Sequence, residues 1–266
     1  MNKSHLSNAI NECIQSGNKA FVPYIMAGDD GLQTLKRNIL FLQKVGATAI
    51  ELGIPFSDPV ADGPVIQEAG ERALTHGITL RIVLKELASF KNEITVPIVI
   101  MTYLNPLIRY GIKDFVKDCT NSGVSGLIVP DLPIEESAFL REELNHSDIA
   151  LIPLVSLTSP PDRIEKITTA GEGFIYAVTV NGITGVREGF TDGLDAHLQK
   201  LKAISPVPVL AGFGISTPEQ VKSIGSLCDG VIVGSAIVKA LHREDWETIE
   251  ALVNASKRTS SSLPIH

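Results

Sequence analysis

Residues 51 to 64 read ELGIPFSDPVADGP, and this stretch places three carboxylates, three prolines and two glycines directly after the apolar stretch ATAI of residues 47–50. Glu51 stands at its end. A lone glutamate on a loop is ordinarily solvated. One that follows a strand buried on both faces is desolvated instead, which raises its pKa toward the range useful in acid–base chemistry. Asp62 has a structural alternative, because Asp before Gly63-Pro64 and an apolar-periodic segment also reads as a helix N-cap. Asp58 has one too, closing the Ser57-Asp58-Pro59 turn. Two carboxylates in one strand-end loop are nonetheless the arrangement from which an acid and an ionised hydrogen-bond acceptor are tuned apart.

The far end of the chain supplies glycines suited to an anion. Gly212-Phe213-Gly214 precedes the helix signal STPEQ, and Gly234-Ser235 opens the helical pattern AIVKALHRE. Backbone N–H groups at such turns approach a phosphate closely, and a helix N-terminus favours its charge. Either pair alone is ordinary turn geometry. Together, after the seventh and eighth apolar runs, they match the phosphate site that α/β barrels build there. The segment NGITGVREGF (181–190) reads equally as a mobile lid or an exposed loop. Tyr103 and Tyr176 offer aromatic surface to a pocket, although core packing is the commoner fate of such rings.

These residues need a frame that brings them together. Eight short apolar runs recur along the chain, AFVPYIM, ATAIEL, VPIVIM, GLIVP, ALIPLV, FIYAV, VPVLAG and GVIVG, with amphipathic patterns such as 32–46, 112–123 and 136–146 between them. Runs apolar throughout are expected of parallel strands covered on both faces. The pattern predicts a single (β/α)8 TIM barrel domain over residues 1–266, with the site at the C-terminal ends of the strands. An open doubly wound sheet is disfavoured, since no G-x-G-x-x-G follows the first run. SNAINECIQSG predicts an additional N-terminal helix. The doubled interval after the second run predicts an extra helix there, from VIQEAGERALTHG and TLRIVLKELASF.

Composition narrows the partners. The formal net charge of -7 argues against nucleic acid or an anionic membrane surface. Three scattered cysteines without C-x-x-C spacing fit a reducing compartment. With no export signal and no long apolar span, a soluble cytoplasmic protein is expected. All six histidines fall in helices, loops or tails, so a metal cluster at strand ends is not expected. No lysine ends a strand, which argues against a Schiff-base aldolase. Carboxylate acid–base chemistry on a phosphorylated small molecule remains.

The stretch ELGIPFSDPVADGP closely resembles the signature of the tryptophan synthase alpha subunit family. The resemblance runs along the chain through FVPYIMAGD, MTYLNPL, GLIVPDLPIEES, GITG, AGFGIS and VIVGSAIV. It implies retro-aldol cleavage of indole-3-glycerol phosphate to indole and glyceraldehyde 3-phosphate by a carbon–carbon lyase, with no metal or cofactor in this subunit. Glu51 then corresponds to the acid–base residue that protonates indole C3 and handles the glycerol hydroxyl proton. Asp62 corresponds to the carboxylate that binds the indole N–H. Gly185, Phe213, Gly214, Gly234 and Ser235 match the phosphate cradle. Tyr24, Tyr103 and Tyr176 match the indole pocket, and Thr184 a lid residue that contacts Asp62 on closure.

The resemblance further implies a beta subunit that carries pyridoxal phosphate, receives indole through a tunnel and condenses it with serine in an alpha2beta2 tetramer. The loop with Pro55 and Asp58 would form part of that contact. One departure lies at Val178-Thr179-Val180-Asn181, where some members carry a serine and an arginine. Two rivals remain open: a free-standing indole-3-glycerol-phosphate lyase that releases indole, and a non-enzymatic phosphate-binding scaffold whose acidic loop only binds a partner.

Overall fold

In the computed structural model, which describes residues 3–156, 158–178, 191–212 and 214–258, the first apolar run forms β1 (Ala20–Met26), and all seven of its residues are buried. The remaining runs form β2 (Ile50–Gly53), β3 (Ile98–Met101), β4 (Val124–Ile128), β5 (Ala150–Leu151), β6 (Leu154–Ser156), β7 (Ile175–Val178), β8 (Val209–Gly212) and β9 (Gly230–Val233). Every pairing among them is parallel. The order across the sheet is β5-β4-β3-β2-β1-β9-β8-β7-β6.

The run ALIPLV is therefore two strands where the sequence suggests one. Pro153 has no N–H to give a ladder, and here the chain changes neighbours. The Ile152 N–H still donates to the Leu127 carbonyl in β4, whereas the Pro153 carbonyl accepts the Tyr176 N–H from β7. The two ends of the sheet order, β5 and β6, are thus separated along the chain only by Ile152 and Pro153, and the barrel closes through them. Eight strand positions are filled by nine segments.

The N-terminal helix is α1 (Ser4–Gln15). It crosses the N-terminal end of the barrel, where His5 meets Ser125 and the Thr95 carbonyl. Leu6, 1% exposed, sits against Gly126 and Gly173, where a Cβ would lie 3.1 and 2.8 Å from its Cδ2. Next come α2 (Gln33–Val45) and, in the doubled interval, α3 (Pro64–Thr75) and α4 (Leu80–Phe90). The extra helix after β2 is therefore present. Gly46 ends α2 with φ 101°, a left-handed residue that closes the last turn without a Cβ penalty.

Beyond β3 lie α5 (Leu104–Tyr110) and α6 (Ile112–Ser122), then α7 (Ala138–Leu144), α8 (Pro161–Thr169), α9 (Thr191–Ile204), α10 (Pro218–Leu227), α11 (Ser235–His242) and α12 (Trp246–Ala255). Neither α5 nor α12 is marked by the spacing of apolar runs. The pattern over 136–146 yields a helix only from Ala138, after a 3-10 turn at Ile134–Glu136. The outer faces of β6, β7 and β8 pack with α8 and α9 around Val155, Ile175, Val209 and Leu201. A larger cluster fills the barrel interior and the other side of the shell.

Candidate active site

Parallel pairing places Tyr24 of β1 opposite Glu51 of β2, so both side chains leave the sheet on the same face. Leu154, Tyr176 and Leu210 form a corresponding row on β6, β7 and β8. Two glycines make room for the rings. A Cβ on Gly53 would collide with the ring and hydroxyl of Tyr24, and one on Gly212 would lie 2.5 Å from Cε1 and the hydroxyl oxygen of Tyr176. Burial first, and then the nearby charges of Asp62 and Glu51, push both phenols well above their usual range.

Glu51 is 1% exposed. Neither of its carboxyl oxygens has a hydrogen-bond partner among the described residues. Burial, reinforced by the negative charge of Asp62, pushes its pKa from 4.5 up to about 8. At neutral pH the group is a carboxylic acid with a proton to give. The solvated reading of Glu51 fails against this burial.

Asp62 sits on the loop after β2. It is not an N-cap: Gly63 holds that position for α3, with Pro64 in the first turn and no side-chain cap. Its Oδ2 instead accepts the Tyr103 hydroxyl at 3.1 Å, and that hydroxyl oxygen accepts the Ala61 N–H at 3.0 Å. Burial pushes Asp62 up to about 6 while the Tyr103 bond lowers it. The two carboxyls are thus tuned apart, one neutral and one ionised at pH 7. Tyr103 stacks on Phe56 at 5.2 Å between centroids. That Tyr103 reaches Asp62 across 41 residues of sequence is a contact no local motif shows.

The loop between them is mixed in character. Pro55 is buried within the chain itself, whereas Asp58 is exposed and takes the Ser57 hydroxyl on Oδ2, the turn-closing role open to it in the sequence. Val60 is 83% exposed. On the opposite rim, Gly234 is the N-cap residue of α11 and Ser235 its first residue, and Gly214 adopts φ 78° just past β8. Phe213, Thr184 and Gly185, with the whole 179–190 segment, lie outside the described residues.

Metal-type donors do meet at one place among the described residues. Asp29, Asp30 and His242 lie within 4.8 Å of one another just past β1. Asp29 is held by Arg72 in an ion pair at 2.6 and 3.1 Å, and Asp30 by a hydrogen bond to His242 at 2.8 Å, so each carboxylate already has a protein partner. A cavity of about 330 Å³ lies beside β4 to β6. Its two cations, Arg141 and Arg163, are already turned to Glu172 and Glu135.

Comparison with known proteins decides the family. Residues 10–262 match the family model described as the tryptophan synthase alpha chain. The chain belongs to that family. The tryptophan synthase alpha chain of one Bacillus cereus strain is 51% identical over 249 residues, covering 94% of this chain and 96% of that protein. The Bacillus mycoides alpha chain is 50% identical, covering 93% and 96%. Among solved structures, tryptophan synthase from M. tuberculosis superposes with a TM-score of 0.87 at 30% identity, covering 96% of this chain and 99% of that one. The alpha subunit from Legionella pneumophila gives 0.84 at 32%, covering 96% and 98%.

As a tryptophan synthase alpha chain, the protein is a lyase that cleaves indole-3-glycerol phosphate to indole and glyceraldehyde 3-phosphate. A beta-subunit partner is implied by the same membership. Among the described residues, no helix is long and apolar enough to cross a membrane.

Proposed function

We propose that Glu51 and Asp62 perform this cleavage, with Glu51 as acid then base and Asp62 as the anion facing the indole N–H. The carrying observation is the contrast between them: a buried carboxyl without a described partner beside a carboxylate held by a tyrosine. Protonated Glu51 delivers its proton to indole C3, which makes the ring cationic. Asp62 accepts the indole N–H and stabilises that charge. Glu51, now a carboxylate, takes the proton of the glycerol hydroxyl next to the scissile bond. The carbon–carbon electron pair returns to the ring, indole and the aldehyde separate, and Glu51 is protonated again.

Tyr24, Tyr103 and Tyr176 supply the apolar walls that hold the indole. The phosphate falls to the N-terminus of α11 at Gly234 and Ser235, helped by Gly214, where the first N–H groups of a helix have no partner within it. Gly185, Phe213 and Thr184 complete the cradle and the cover in this reading. The chain acts as one domain in the cytoplasm, without a cofactor of its own. Its partner carries pyridoxal phosphate in an alpha2beta2 assembly and docks on the loop of Pro55 and Asp58, where exposed Val60 adds apolar surface.

The test is indole release from indole-3-glycerol phosphate by the purified chain, with and without a matching beta subunit, beside Glu51→Gln. Slow release that rises with the partner and vanishes in the variant supports the reading. Equally fast release without the partner would favour a free-standing lyase, and an active Glu51→Gln would remove Glu51 from the chemistry.

A further inference from the structure

We propose that Tyr103 is the positioning residue for Asp62: its hydroxyl, oriented by the Ala61 N–H, donates to Asp62 Oδ2 and holds that carboxylate aimed and ionised. This goes beyond a wall for the indole ring, and it rests on the reading of Asp62 given above.

The geometry is over-determined. A phenol has one proton to donate, and its oxygen accepts at its lone pairs. Because the Ala61 N–H takes the oxygen at 3.0 Å, the proton is left for Asp62 at 3.1 Å. The ring is 2% exposed and stacked on Phe56, so the hydroxyl has little freedom to turn elsewhere. Its backbone is pinned as well. Tyr103 precedes α5, and the next N–H, that of Leu104, is bound by both carboxylate oxygens of Asp131 at 2.9 and 3.2 Å. Three separate segments, the loop after β2, the end of β3 and the turn after β4, therefore converge to place one hydroxyl.

The electrostatics at this corner need such a donor. Burial opposes charge on Asp62, and the groups interacting with it are Glu51 from β2, Tyr24 from β1 and Tyr176 from β7, each an acid or a phenol, while Asp131 after β4 acts on Tyr103 itself. The Tyr103 hydroxyl pulls the other way and lowers the Asp62 pKa. The bond costs nothing when the indole N–H arrives, because Asp62 Oδ1 is a second acceptor.

The experiment uses the full chain with its beta partner and measures kcat and KM for the cleavage from pH 5 to 9 in wild type, Tyr103→Phe and Asp62→Asn. Phenylalanine keeps the ring and its stacking. The acid limb of kcat/KM, expected near 6 in wild type, should move up by about one pH unit in Tyr103→Phe, the scale on which losing one hydrogen bond to a charged group shifts its titration. At pH 6 kcat/KM should fall about fivefold, approaching about tenfold at pH 5, as an acid limb moved from about 6 to about 7 requires, and most of this should recover by pH 8. Carbon-13 titration of the Asp62 carboxyl in the same variant should show the same displacement without relying on turnover. An unmoved acid limb with only KM raised would reduce Tyr103 to an indole wall and overturn the proposal. If Asp62→Asn keeps wild-type turnover, the assignment of Asp62 itself fails, whatever Tyr103→Phe does.

Discussion

Replacing Glu51 with glutamine should make the protein inactive yet, above neutrality, more stable. An acid whose folded pKa lies above its unfolded value holds its proton more tightly when folded. Stability is then full below pH 4.5 and is lost as the pH rises toward about 8. Each pH unit of that window corresponds to about 1.4 kcal/mol, so the buried carboxyl forfeits on the order of 3 kcal/mol by pH 7 and on the order of 5 by pH 8 and above. Glutamine has no such slope. It does bring two N–H donors into a site with no partner for the present oxygens, a desolvation cost of about 1–3 kcal/mol at every pH. The two effects cross. At pH 5 Glu51→Gln should be the less stable protein, and by pH 8 the more stable one by about 2–4 kcal/mol, from the two costs just given. Asp62 is also raised, to about 6, but it is present in both proteins and its slope largely cancels in the difference. Urea unfolding of both proteins at pH 5, 6, 7, 8 and 9 measures that difference. A difference that stays flat across the series would mean that Glu51 titrates alike in the folded and unfolded chain, and the desolvation on which its role as acid rests would be refuted.

Two more perturbations test the frame around the site. Gly212→Ala places a methyl 2.5 Å from the Tyr176 ring; overpacking of this kind costs about 1–3 kcal/mol, and the displaced ring should raise KM more than it lowers kcat, which unfolding and steady-state kinetics would show. Leu6→Ala removes a side chain 1% exposed at the far end of the barrel; it should cost about 2–5 kcal/mol in urea unfolding while leaving the kcat of the folded protein unchanged.

Much of this fold is legible in the sequence because parallel strands buried on both faces must be apolar throughout. AFVPYIM becomes β1 residue for residue. Gly46 and Gly123 mark helix ends for an equally local reason, since each takes a left-handed conformation. The hidden parts depend on the other side of a contact. The break at Pro153 becomes visible only once β4 and β7 are known to flank the same segment. The short helix α5 lacks a periodic run long enough to detect, and its start is held by Asp131 from another loop. In the site, Glu51 and Asp62 are conspicuous as acids in an otherwise apolar and turn-forming stretch. Their division of labour is not, because it comes from the burial of one and from a tyrosine 41 residues away for the other. His242 shows the converse: nothing near it in sequence places it beside Asp30.

The closure of the barrel floor by α1 has a consequence for traffic. With Leu6 seated between Gly126 and Gly173 and apolar side chains filling the interior above it, the N-terminal end of the barrel is closed. For the site as proposed, substrate, indole and aldehyde all cross the opposite rim, the one that carries the loop from Ile54 to Gly63 on one side and the start of α11 on the other. Indole is the product without charge and leaves most readily into an apolar passage. Whatever covers that rim therefore decides where indole goes, and the enzyme needs no internal valve to give its product a direction.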